Sequence, residues 1–158
     1  MEKVLELRYP VSVDYNVPLA DMIKAGNYGW VSRDITNYNF PVKKSGKVEL
    51  NLQFVHSKRD VSSPEIATHL KDISFRPATL FELLAFGMKY PEVHREFPII
   101  ALGSLWRNSD GFVAAPLFGI SKDYVRELKL QWIGFDWSNN PHFLVVFQSL
   151  LDNDWCDW

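Results

Sequence analysis

Only one of the 158 residues is a cysteine, Cys156. One thiol rules out an internal disulfide framework and a zinc site made of several cysteines of one chain. It points to a reducing compartment. Asp152, Asp154 and Asp157 surround it, and negative neighbours disfavour the thiolate that a reactive cysteine needs. Long apolar runs are missing too. The longest, residues 97–102 and 143–147, have strand length, far short of a membrane span. Residues 1–10 alternate polar and apolar types and lack the apolar core of a signal peptide. Nor is there an excess of one charge: 17 basic against 19 acidic residues give −2. The footprint of a nucleic-acid binder is therefore absent. The one basic cluster, Lys43, Lys44 and Lys47, reads as a solvated loop. The expectation is a cytoplasmic chain that neither binds nucleic acid nor inserts into a membrane, with virion or surface display as the other setting.

Catalytic signatures are equally scarce. His56, His69, His94 and His142 stand in neither H-E-x-x-H nor H-x-x-x-H spacing, so no helix sets two imidazoles one turn apart. No G-x-S-x-G elbow and no phosphate-binding glycine loop occurs. His56 and Asp60 are close enough in sequence for an acid/base pair, but a strand-end histidine beside a solvated turn is the simpler reading. The expectation is no metal, no cofactor and no catalysis.

Aromatic residues, by contrast, are abundant: 6 Trp, 6 Tyr and 11 Phe. They dominate both cores and interfaces, so their placement decides between the two. The length fits one domain. Residues 3–15 read as extended and interrupted by Pro10. Asn16 is a candidate cap for a helix running to Ala25, with Gly26 as its stop. Residues 47–56 alternate as a half-buried strand. Ser63 with Pro64 opens a second helix, and Thr79 with Glu82 forms a capping box for a third. Residues 98–105 read as a central apolar strand, Asp110-Gly111 as a hairpin turn, and 112–118, 127–133 and 142–148 as strands. Helices grouped between strands argue for an α+β fold. The chain divides into an extension at 1–46 packed on a domain at 47–148, followed by an acidic aromatic tail at 149–158.

The stretch 76–106 contains R-P-A-T-L-F-E-L-L-A, K-Y-P, R-E-F-P-I and A-L-G-S-L-W. With Val13-Asp14-Tyr15, Asp34-Ile35-Thr36, Phe54-Val55-His56 and Asp136-Trp137, it is similar to an uncharacterised family seen widely in bacterial and metagenomic sequences. The order of elements also resembles the C-type-lectin-like fold, a mixed fold with two consecutive helices followed by short antiparallel strands and long loops. In that fold the first and last strands pair, which implies pairing of 48–55 with 143–147. The segment at Arg76 resembles one in formylglycine-generating-type proteins. Variable proteins of diversity-generating retroelements display side chains on C-terminal loops of this fold, and the likeness implies the same layout here. Lectins of this kind often use a calcium loop of amides and carboxylates. Asn139-Asn140-Pro141 has the amides without a glutamate.

The candidate recognition surface is the C-terminal loop. Phe135, Trp137, Ser138, Asn139, Asn140 and His142 lie in or beside it, with Trp132 and Tyr124 as neighbours. Rigid aromatics and adaptable amides are the composition of recognition surfaces. Trp132 continues the apolar face of Leu128 and Leu130, and both it and Trp137 are also core candidates. The expected function is a non-catalytic recognition or display module that binds a protein through these loops. The alternative is a structural or assembly protein of a phage or mobile element, forming homo-oligomers through the extension or through Trp155 and Trp158. A third reading, an enzyme related to the formylglycine-generating type, requires a metal or a cysteine pair.

Overall fold

Alternation of Val48, Leu50, Leu52 and Phe54 with polar residues builds the longest strand, and the rest of the fold assembles on it. The computed structural model describes residues 3–138 and 140–148. Its elements run β1 (Lys3–Val4), β2 (Tyr9–Asp14), α1 (Leu19–Ala25), β3 (Trp30–Val31), β4 (Lys47–His56), α2 (Ser63–Asp72), β5 (Phe75–Pro77) and α3 (Leu80–Lys89), then β6 (Ile99–Ile100), β7 (Trp106–Arg107), β8 (Val113–Ile120), β9 (Arg126–Trp132) and β10 (His142–Phe147). Among the described residues all ten strands join one sheet, in the order β1-β4-β10-β6-β8-β9-β3. β2 also pairs with β4, β5 with β10 and β7 with β8. The β10–β6 and β3–β9 pairs are parallel and the others antiparallel.

Register places His56, His142, Ile99, Phe118, Leu128 and Val31 in one row across the sheet. Side chains alternate faces along each strand, so every second row points the same way. That row and the one holding Phe54 and Leu144 face Leu19 and Met22 of α1 and Leu80, Leu83 and Phe86 of α3. The rows between, with Val55, Phe143, Ile100 and Leu117, face Ile66 and Leu70 of α2. The central strands are thus buried on both sides, which is why 143–146 is a continuous apolar run rather than an alternating one.

This architecture overturns the expected C-type-lectin-like α+β fold. The fold is mostly sheet. The two later helices are not consecutive, because β5 separates them and hydrogen-bonds into the sheet beside β10. The display layout inferred from that likeness falls with it. A three-residue strand carries no periodicity of its own, so only its long-range pairing reveals it. The expected pairing of 48–55 with 143–147 is present in part: 52–55 lie opposite 143–146, with Phe143 opposite Val55, while 48–51 pair with β2. Residues 98–105 do not form one strand. The strand ends at Ile100 with one further bond from the Ala101 N–H to the Pro116 carbonyl at 3.0 Å, and Gly103 turns onto the start of α3, where its N–H donates to the Ala78 carbonyl at 2.8 Å. A Cβ at Gly103 would sit 2.5 Å from that carbonyl oxygen, so the approach requires glycine.

Local chemistry explains the helix ends. Thr79 and Glu82 form the capping box that the T-x-x-E spacing predicts. α2 is capped by Ser62, one residue earlier than expected, which releases the Ser63 hydroxyl for another partner. α1 has Pro18 at its N-cap, and the Asn16 side chain instead accepts from the Gly46 N–H. No helix among the described residues is long and apolar enough to cross a membrane.

Glu82 is fully buried and accepts four hydrogen bonds. Arg76 donates two, at 2.8 Å each, Tyr15 Oη donates at 2.7 Å, and the Thr79 N–H donates at 2.9 Å. Burial pushes the carboxyl pKa up, but the Arg76 hydrogen bonds and charge, with those of Tyr15 and Thr79, outweigh it and hold the pKa below the ordinary value. Removing the carboxylate would strand a buried guanidinium, so Glu82→Gln is expected to destabilise the fold by about 3–5 kcal/mol in urea unfolding. The folded pKa lies below the unfolded one, so the unfolded chain takes up the proton first. Glu82 therefore stabilises fully above the ordinary glutamate range, and that contribution drains away as pH falls toward the folded value. The same unfolding series should show a shallower acid limb for Glu82→Gln than for the parent chain.

Candidate functional site

The segment between β9 and β10 is fixed at its middle by Trp137. Its N–H donates to the Val61 carbonyl at 2.7 Å, and its carbonyl accepts from the Val61 N–H at 3.1 Å. The indole Nε1 donates to Ser63 Oγ at 2.7 Å, the hydroxyl released by the shifted cap. The ring is buried edge-on to Phe143. Of the two expectations for Trp137, its burial fits the core role: it anchors the loop, and only a small edge of it reaches the surface.

On either side of this anchor the chain faces solvent. Phe135 is 69% exposed, and Ser138 and Asn140 are exposed. Asn140 has a φ of 64°, a left-handed conformation that asparagine tolerates better than most residues. Its side-chain oxygen pairs with His56 Nε2, and its carbonyl accepts from His142 Nδ1 at 2.9 Å. That carbonyl can only accept, so the proton of the neutral imidazole resides on Nδ1. His142 is buried, stacked between Phe97 at 3.6 Å and His56 at 4.4 Å. Burial lowers its pKa, the bond to Asn140 opposes this, and His56 adds a further lowering. His142 therefore supports the loop end from below.

The remaining expected residues do not form one surface. Trp132 is not in the core: it is 38% exposed and packs at 5.6 Å against Phe112, itself 60% exposed. Tyr124 is exposed at the opposite end of β9. Seven residues of strand at about 3.3 Å each separate it from Phe135 by roughly 20 Å. Asn139, Trp155 and Trp158 lie outside the described residues.

Beside the loop is a groove of about 360 Å³ on the α2 side of the sheet. Ser138 and Trp137 form one wall, Lys129 and Gln131 of β9 project into it, and Arg95 and Glu96 form the other wall. Sequence reasoning missed these last four. The alternation Glu127, Lys129, Gln131 did mark a polar face, but one read as open solvent. Arg95 and Glu96 gave no signal, since only the β6–β8 register brings their segment against β9. Among the described residues no group of three or more histidine, cysteine, aspartate or glutamate side chains is placed to hold a metal. Compared with family models, with curated proteins and with solved structures, the chain has no match.

Trp137→Phe keeps an aromatic ring, smaller than the indole, but leaves Ser63 without its donor, and is expected to cost about 1–3 kcal/mol. Hydrogen exchange at the Val61 and Trp137 amides should accelerate with it. Phe135→Ala, which touches no anchor, should stay within about 0.5 kcal/mol of the parent. The depressed pKa of His142 has the opposite sense to a stabilising ion pair. Above the ordinary imidazole range it contributes nothing. As pH falls from about 8 to about 5 the unfolded chain takes a proton that the fold resists, and stability drops. His142→Phe should remove that component of the drop, measured as urea midpoints across the pH series.

Proposed function

We propose that the protein is a non-catalytic recognition module that binds a partner protein through the loop at 133–141 and the groove beside it. The observation that carries this reading is the anchoring of Trp137, which holds the loop by two backbone bonds and a buried indole while leaving Phe135 and Ser138 on the surface. A loop already fixed in place loses little conformational freedom on binding, so more of the contact energy appears as affinity. Phe135 supplies a rigid apolar anchor of the kind found at the centre of interfaces. The groove adds both signs of charge, from Arg95, Lys129 and Glu96, together with the Gln131 amide and the Ser138 hydroxyl. This mixture suits the polar rim of a protein interface better than a single small ligand of one charge.

The test is an affinity capture with mass spectrometry, run on the parent chain, on Phe135→Ala/Ser138→Arg, and on Tyr38→Ala. Tyr38 is 93% exposed and lies outside the groove, so it serves as the surface control. Thermal midpoints should match across the three. The expected result is a partner held by the parent and by Tyr38→Ala and lost from the double variant. Identical partners on all three chains would sink the reading. Light scattering on the same samples separates a foreign partner from a second copy of this chain, and loss of self-association alone would favour the assembly alternative.

A further inference from the structure

A pocket of about 300 Å³ opens on the face of the sheet that carries α3, at the lower end of the range for small-ligand sites. Tyr9 of β2, Phe54 of β4 and Phe97, in the chain after α3, supply three aromatic rings to its wall. Tyr9 and Phe97 each meet Phe54 at 5.4 Å between ring centroids, at angles of 69° and 87°. Rings set this steeply to one another form no flat platform for a planar ligand. They present walls in different planes, which suit a compact, rounded group. Leu7, an apolar side chain left 63% exposed, stands at the rim.

Glu92 and Glu96 also line the pocket, and among the described residues no cationic side chain does. The two carboxylates are not equivalent. Glu92 is paired with Arg95 at 3.3 Å. Glu96 is exposed, and its side chain has neither a hydrogen bond nor an ion pair among the described residues. Its position beside the aromatic wall also registers at Tyr9: burial raises the phenol pKa, and the Glu96 charge raises it further. One negative charge therefore faces walls that are otherwise apolar and aromatic. The face of an aromatic ring is electron-rich and attracts cations. A bare ammonium would bring several strongly hydrated N–H donors to a site with one open carboxylate. A fully alkylated nitrogen carries the same charge without donors and sets its methyl groups against the rings.

We propose that this pocket binds a small organic cation with a fully alkylated ammonium head. The head lies against Tyr9 and Phe97, with Glu96 as its counter-charge. The pocket shares Glu96 and Phe97 with the groove beside the 133–141 loop but none of the loop's own residues, and the proposal does not rest on the reading of that loop.

The test titrates choline into the full-length chain, followed by calorimetry and by proton resonance. Dimethylbutanol, in which carbon replaces the choline nitrogen, is the uncharged isostere, and ammonium is the unalkylated control. The expected result is saturable one-site binding of choline. Its methyl protons should shift upfield under the ring currents and show Overhauser contacts to the Tyr9 and Phe97 ring protons. Dimethylbutanol should bind about ten-fold more weakly, ammonium should not saturate, and choline affinity should fall with added salt. Glu96→Gln should weaken binding by about three-fold and Glu96→Lys by about ten-fold or more. Arg95→Gln, which frees Glu92, should strengthen it, and Phe135→Ala should leave it unchanged. All three substituted positions are exposed, so matched thermal midpoints are expected and separate lost binding from lost folding. The proposal is overturned if choline does not saturate, if choline and dimethylbutanol bind alike, if Glu96→Lys has no effect, or if the contacts fall on other rings. Tighter binding of N-acetyl-trimethyllysine amide than of choline would overturn the small-molecule assignment in favour of a methylated lysine on a partner protein.

Discussion

A carboxylate taken out of water must be surrounded by donors, and Glu82 is surrounded by four. Those donors come from three places: Tyr15 just after β2, Arg76 in β5, and Thr79 at the cap of α3. The chain between Tyr15 and Arg76 includes β4 and α2, so one side chain ties the start of the chain to its middle. Such a pair adds little net stability over an apolar substitute, because desolvation offsets the Coulomb attraction. Its effect is to penalise every arrangement in which one member is missing. β5 must lie where Arg76 reaches Glu82, α3 must begin where Thr79 caps it, and the segment after β2 must close over both.

Placement of β5 beside β10 follows from this constraint and shapes the sheet. β10 pairs with β6 through His142 and Phe143 and with β5 through Val145 to Phe147, while β4 runs along its other edge. It is thus the strand about which the fold is organised. Helices lie on both faces of the sheet, and the two hydrophobic clusters divide along its alternating rows. The groove lies where this layering ends. The groove is on β9 and its neighbours, where the polar row Lys129 and Gln131 is turned outward.

Much of the local structure was legible. The capping box at Thr79, the hairpin at Asp110-Gly111 and the alternating strand at 47–56 all rest on interactions within a few residues, and all are present. The site was legible only in part. Loop composition pointed to residues 135–142, and Phe135 and Ser138 are displayed there. It could not separate Trp137, which fills the core, from Trp132, which does not, because both are large apolar residues in suitable contexts. What divides them is the shifted cap at Ser62, which leaves Ser63 to receive the Trp137 indole, and the position of Trp132 at the far end of β9 beside Phe112. Tyr124 looked near in sequence but lies a strand's length away.

The sequence by itself determined composition, charge balance, the scarcity of cysteine, the capping box of α3 and the strand at 47–56, because each depends on residue types or on contacts within about one turn of chain. The tertiary structure alone decided the sheet order, the insertion of β5 between two helices, the meeting of Tyr15, Arg76 and Glu82, and the residues that line the groove. Those outcomes depend on pairings between segments tens of residues apart. A periodic pattern shows that a strand has a buried face, but which neighbour covers it is decided by the competition among all the segments that could.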